Sequence, residues 1–107
     1  MNKEQNQKLE RKIGELIESE SYKEAERIVN EALQKTPDNT DLLLVRAKLY
    51  RQIQRFSEAI NDLQQVLKLA PDHHEARNLL ELTHDILRYQ KLDIYACTNL
   101  HNDPWLE

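Results

Sequence analysis

One interval governs this chain. Tyr22, Glu24, Ala25, Leu33, Pro37 and Asp38 return 34 positions later as Phe56, Glu58, Ala59, Leu67, Pro71 and Asp72. A period of that length, carried by aliphatic, alanine and single proline positions, belongs to stacked helix pairs copied in tandem. A helix pair of this size cannot bury its apolar face alone, so each unit must lean on a neighbour. The stack leaves an extended open surface on which another chain can lie.

The composition agrees with helices. One Gly and three Pro in 107 residues, with Leu, Glu, Gln, Lys, Arg and Ala abundant, favour an all-α chain of single-domain size. A formal net charge of −4, with 32% of residues charged, argues against nucleic acid or an anionic bilayer as the main partner. No window reaches the roughly 20 apolar residues of a bilayer span, and Met1 to Lys8 lacks the apolar stretch of a signal peptide, so a cytoplasmic location is expected. Cys97, a lone cysteine, has no intramolecular disulfide partner, which fits a reducing compartment. The closing Leu106-Glu107 has the look of a vector-derived junction.

Apolar spacing predicts five helices. Leu9, Ile13, Leu16 and Ile17 mark the first, over about residues 6–19, and a break at Glu18 to Ser21 follows. Tyr22, Ala25, Ile28, Val29, Ala32 and Leu33 form the stripe of the second, closed before Pro37. Asp38 is expected to cap the third, which runs to about Gln54. That helix is apolar on more than one face, through Leu42, Leu43, Leu44, Val45, Ala47, Leu49, Tyr50 and Ile53, as a middle element covered on two sides must be. Ser57 is expected to cap the fourth, striped by Phe56, Ala59, Ile60, Leu63, Val66 and Leu67. Asp72 opens the fifth, which carries Ala76, Leu79, Leu80, Thr83, Ile86 and Leu87 to about Gln90. Beyond it the periodicity fades, and 91–107 reads as an irregular tail.

These residues resemble the tetratricopeptide repeat family. In a second unit taken as residues 40–73, Ala47 and Ala59 stand at the family's small positions and Tyr50 at its aromatic one, with Leu63, Val66 and Pro71 completing the match. In a first unit taken as residues 6–39, Ala25, Val29, Ala32 and Pro37 match, whereas Ile13 replaces the small residue and Leu16 the aromatic. The resemblance implies a right-handed α-solenoid of two antiparallel helix pairs closed by a capping helix over about 72–90. It also implies a partner-binding concave face lined by the first helix of each unit. That face holds Glu10, Gly14 and Ile17, then Leu44, Lys48 and Arg51, then Asn78, Leu82 and Asp85. Lys48, Arg51 and Arg55 share helical spacing and could offer a basic strip to an acidic peptide, or form a solvated face paired with Glu18 or Asp85. The Lys and Asn pattern with which some members clamp a terminal carboxylate is not evident.

An array of two repeats is expected to leave apolar surface open at Leu42, Leu44, Leu82 and Ile86. The cover for it is either a second copy of the chain or the tail folding back with Ile94, Tyr95 and Trp105. Residues that could carry chemistry are sparse. His73, His74, His84, Cys97 and His101 fall short of the paired short spacings of a zinc site, and a Cys97–His101 nucleophilic pair lacks a rigid frame. Glu18, Glu20, Glu24 and Glu26 sit two or more apart and point in different directions, and one Gly cannot build a phosphate loop. The expectation is a non-enzymatic interaction module, an adaptor or scaffold for a peptide or protein surface, with no cofactor and no metal. The competing expectation is a structural protein that spends its apolar surface on homo-oligomerisation.

Overall fold

The computed structural model describes the backbone of residues 3–102 and the side chains of residues 3–90. Its five helices are α1 (Lys3–Glu18), α2 (Tyr22–Lys35), α3 (Thr40–Gln52), α4 (Phe56–Leu69) and α5 (His74–Asn102), with no strand among the described residues. Each helix packs on the next in sequence, and α1 also reaches α3. Contact with near neighbours only is the geometry of a helical solenoid. The α3–α4 pair touches along more of its length than α1–α2, as the alanines of the second unit and Ile13 of the first lead one to expect.

The turns repeat as faithfully as the helices. Between α1 and α2 the Glu20 N–H reaches the Ile17 carbonyl and the Ser21 N–H reaches Leu16; between α3 and α4 the Gln54 N–H reaches Arg51 and the Arg55 N–H reaches Tyr50. This is the paired-bond cap that ends a helix with one left-handed residue. That residue is Glu20 (φ 63°) in the first turn and Gln54 (φ 64°) in the second, neither of them glycine. The other two turns place Pro37 and Pro71 at the second position of four-residue turns, closed by Asn39 N–H on the Thr36 carbonyl and His73 N–H on the Ala70 carbonyl.

Three expected caps move. Asn39, not Asp38, caps α3, its Oδ1 accepting from the Leu42 N–H at 3.2 Å. His73 rather than Asp72 serves α5, its Nδ1 accepting from the Ala76 N–H at 3.1 Å. The proline turn consumes the aspartate as its third residue, which pushes the cap one residue on in both repeats. Helix α4 begins at Phe56 behind Arg55 and has no side-chain cap, so Ser57 already lies inside the first turn.

The core is one cluster. Ile13, Ala25, Val29, Leu42, Ala47, Leu49, Ala59, Leu63, Val66, Ala76 and Thr83 are fully buried, and full burial of each Leu, Ile or Val contributes about 1.5–3 kcal/mol. Ala25 and Ala59, one period apart, sit at the interfaces where a larger side chain would hold the helices apart. Thr83 is satisfied by donating to the Leu79 carbonyl at 2.6 Å. Leu42 and Leu44, expected to be open, belong to this core, because α1 lies across α3 as well as α2. Reciprocal amide bonds between Asn6 and Asn39 (2.7 and 3.4 Å), with Asn6 also donating to Asp41 at 3.0 Å, tie those two helices together.

Helix α5 corrects the expectation of an irregular tail after Gln90, since it continues through Asn102. Fading apolar periodicity does not by itself report a break in the backbone. No Gly or Pro occurs between Pro71 and Pro104 to stop the helix. The expected docking of Ile94, Tyr95 and Trp105, and the Cys97–His101 spacing, lie outside the described side chains.

Candidate functional site

Helix α1 packs on α3, and a charged pair links α3 to α5. Lys48 of α3 donates to Glu75 of α5 at 2.7 Å, both about half exposed. Glu10 of α1 is half-buried near Asp41, Lys48 and Glu75. Its carboxyl is held above the ordinary carboxylate value, first by burial, then by the negative charge of Asp41 and, more weakly, of Glu75; Lys48 offsets part of this. Glu10 thus lies in the field of two other carboxylates and of one ammonium, which is itself bonded to Glu75.

The expected concave residues divide. Glu10 and Lys48 are brought together as described. Gly14 is half-buried, and a Cβ built on it meets nothing within 4 Å, so the surface above it is open. Ile17 is half-buried against the core. Leu44, at 7% exposure, is a core residue and has little surface to offer a partner. Arg51 is half-buried, and its Nε is buried without a hydrogen-bond partner. On α5 the spacing of three and four residues places Glu75, Asn78, Leu82, Asp85 and Tyr89 on one stripe. Leu82 is 52% and Tyr89 67% exposed, and Asp85 lies 3.4 Å from Arg88.

The basic strip does not form. Arg55 sits at the head of α4, where its Nη1 donates to Glu26 of α2 at 2.8 Å and its Nε to Glu58 at 2.8 Å. Its guanidinium also lies 4.8 Å from the Tyr50 ring centroid. The α3–α4 turn intervenes between Arg51 and Arg55, so helical spacing no longer relates them. Lys48 pairs with Glu75 rather than with Glu18 or Asp85.

A second polar centre, on the side of α2 and α4, escaped the sequence reading. Arg46 donates from Nε and Nη2 to the two carboxylate oxygens of Asp62 at 2.8 and 2.7 Å, and from Nη1 to Asn30 at 3.0 Å. One side chain thus joins α2, α3 and α4 across the boundary between repeats. A signal existed: an arginine set within the apolar run Leu42–Leu49 must find a partner once that helix is covered. Nearby, an open cleft of about 1050 Å³ lies between α2 and the two left-handed turns, lined by Tyr22, Ile53, Arg27 and Arg55. Both guanidiniums are engaged, Arg27 with Glu24 and Glu31 and Arg55 with Glu26 and Glu58.

Among the described residues no group of three or more His, Cys, Asp and Glu side chains is placed to hold a metal ion. No described helix is long and apolar enough to cross a membrane. His73 is used as a helix cap, and His74 and His84 are exposed. A tetratricopeptide repeat family model matches residues 16–82, from the last turn of α1 to the middle of α5 and more than half of the chain. No curated protein and no solved structure matches the chain significantly.

Proposed function

The chain belongs to the tetratricopeptide repeat family, whose members generally mediate protein–protein interaction, and from that premise we propose that it is an adaptor that seats a peptide or protein segment along the face of α1, α3 and α5. The observation that carries this reading is the stripe of α5, where two large apolar side chains, Leu82 and Tyr89, stand in water on the helical stripe that also holds Glu75, the residue bonded to Lys48 of α3. Large exposed apolar groups on a shared stripe, rimmed by charge, favour docking of another surface. Binding is the mechanism: apolar contact at Leu82 supplies affinity, and the charges around it select the partner.

Leu82→Asp tests the placement without disturbing the core, because Leu82 is 52% exposed. Partners captured from a lysate by the wild-type chain and absent with Leu82→Asp support the groove, and identical captures with equal circular dichroism spectra refute it. The same exposed stripe supports self-association as a second reading. Light scattering coupled to size exclusion decides it: a strict monomer at high concentration removes the oligomer, whereas a dimer dissociated by Leu82→Asp and Tyr89→Asp establishes it.

A further inference from the structure

We propose that the partner seated on this face is a cationic segment, carrying lysine or arginine beside an apolar anchor, and not the acidic peptide that the spacing of Lys48, Arg51 and Arg55 suggests. The inference rests on the groove reading above and adds the chemistry of the occupant.

Three observations meet on this face. The first is charge. Glu10 of α1, Asp41 of α3, and Glu75 and Asp85 of α5 stand against Lys48, Arg51 and Arg88, of which Lys48 is already engaged by Glu75 and Arg88 by Asp85. Glu10 and Asp41 are the two of these carboxylates with no bonded cation among the described residues, and Glu10 is further burdened by Asp41 and Glu75. A cation arriving there relieves repulsion that the free protein carries, so the gain belongs to the complex alone. The second is the apolar stripe of Leu82 and Tyr89, seven residues apart on α5 and therefore on one side of it. It offers the contact area that ion pairs half in water do not supply. The third is Arg51, which makes no ion pair among the described residues and whose Nε lacks an acceptor. A docked main chain brings carbonyl oxygens, the acceptor that an arginine otherwise without one can turn toward. Open space above Gly14 leaves room for that main chain. An acidic segment would meet the unpaired Glu10 and Asp41, with Lys48 and Arg88 already engaged and only Arg51 left to receive it.

The test uses two fluorescein-labelled peptides of equal length and equal leucine content, one with lysine at every other position and one with glutamate, titrated with the full chain and followed by anisotropy. The lysine probe is expected to bind, to weaken with added salt, and to lose about tenfold in affinity with Glu10→Gln/Glu75→Gln. The control Glu15→Gln/Glu31→Gln removes two exposed carboxylates elsewhere, with the same change in net charge, and is expected to leave the affinity unchanged. Melting curves verify that each variant is folded. If the glutamate probe binds as well as or better than the lysine probe and Leu82→Asp abolishes it, the groove stands and the cationic partner is overturned. If the lysine probe weakens equally in the control pair, its binding is diffuse and the inference falls. If neither probe binds, or binding ignores both Leu82→Asp and the glutamate replacements, the inference and the groove reading fall together.

Discussion

Deleting the carboxylate of Asp62 is the sharpest test of how the two repeats are held to one another. Its side chain is 7% exposed, and it accepts two of the three bonds made by Arg46, whose third goes to Asn30 of the preceding repeat. Removing one member of a fully buried pair costs about 3–5 kcal/mol, because the other ion stays desolvated and unpaired. Arg46 is not in that limit. Its side chain keeps 24% exposure, it retains Asn30, and its guanidinium lies 5.8 Å from the Tyr50 ring centroid. Water and those contacts recover part of the loss, so Asp62→Ala is expected to cost about 2–3 kcal/mol.

In a domain of this size that lowers the melting temperature by about 10–20 °C, read by circular dichroism at 222 nm with urea titrations for the free energy. The double replacement Arg46→Met/Asp62→Leu leaves no orphaned ion and is expected to lie within about 1 kcal/mol of wild type, making it more stable than Asp62→Ala. The reasoning is refuted if Asp62→Ala costs less than about 0.5 kcal/mol, or if the double variant is the less stable of the two.

Four further outcomes follow from the packing. Ala59→Leu forces a larger side chain into the closed α3–α4 contact and should cost about 1–3 kcal/mol in the same titration; a neutral result means the helices are not in close approach there. Gly14→Ala places a methyl in open space within α1 and should add about 0.5–1 kcal/mol, visible as a higher denaturation midpoint. Gln54→Gly relieves a left-handed non-glycine residue and should raise stability by a few tenths to about 1 kcal/mol, with no gain if that turn is unstrained. Glu10 has a folded value raised above its unfolded one, so its ionisation opposes folding. Wild-type stability should fall as pH rises through the interval just above the ordinary carboxylate value, and Glu10→Gln should remove that fall, exceeding wild type at neutral pH and matching it in acid. A difference independent of pH would show that the effect is not electrostatic.

Much of the architecture was legible because the repeat encodes it twice. The apolar stripes, the alanines at 25 and 59, and the prolines at 37 and 71 each state a local rule, and a rule stated again 34 residues later leaves little room for another fold. Cap positions shifted by one residue because aspartate is acceptable both within a turn and at a helix start, and only the path of the chain decides between them. The length of α5 was missed for a related reason. Apolar periodicity reports which face of a helix is buried, while the backbone stays helical until a residue forbids it.

The candidate site was less legible. Helical spacing grouped Asn78, Leu82 and Asp85 on α5 but did not single out Glu75, and it could not say that Leu44 lies under α1 or that Arg55 has left α3. The amino-acid sequence by itself determined a stack of two helix pairs and a fifth helix, since periodicity is a property of one helix and needs no knowledge of its surroundings. The sign of the charge presented to a partner was decided only by tertiary structure. Lys48 is neutralised by Glu75, 27 positions away in the chain, and Glu10 acquires its neighbours Asp41 and Glu75 only once α1 is packed on α3 and α3 is linked to α5. Electrostatic interactions fall off with distance through space, and distance along the sequence does not record them.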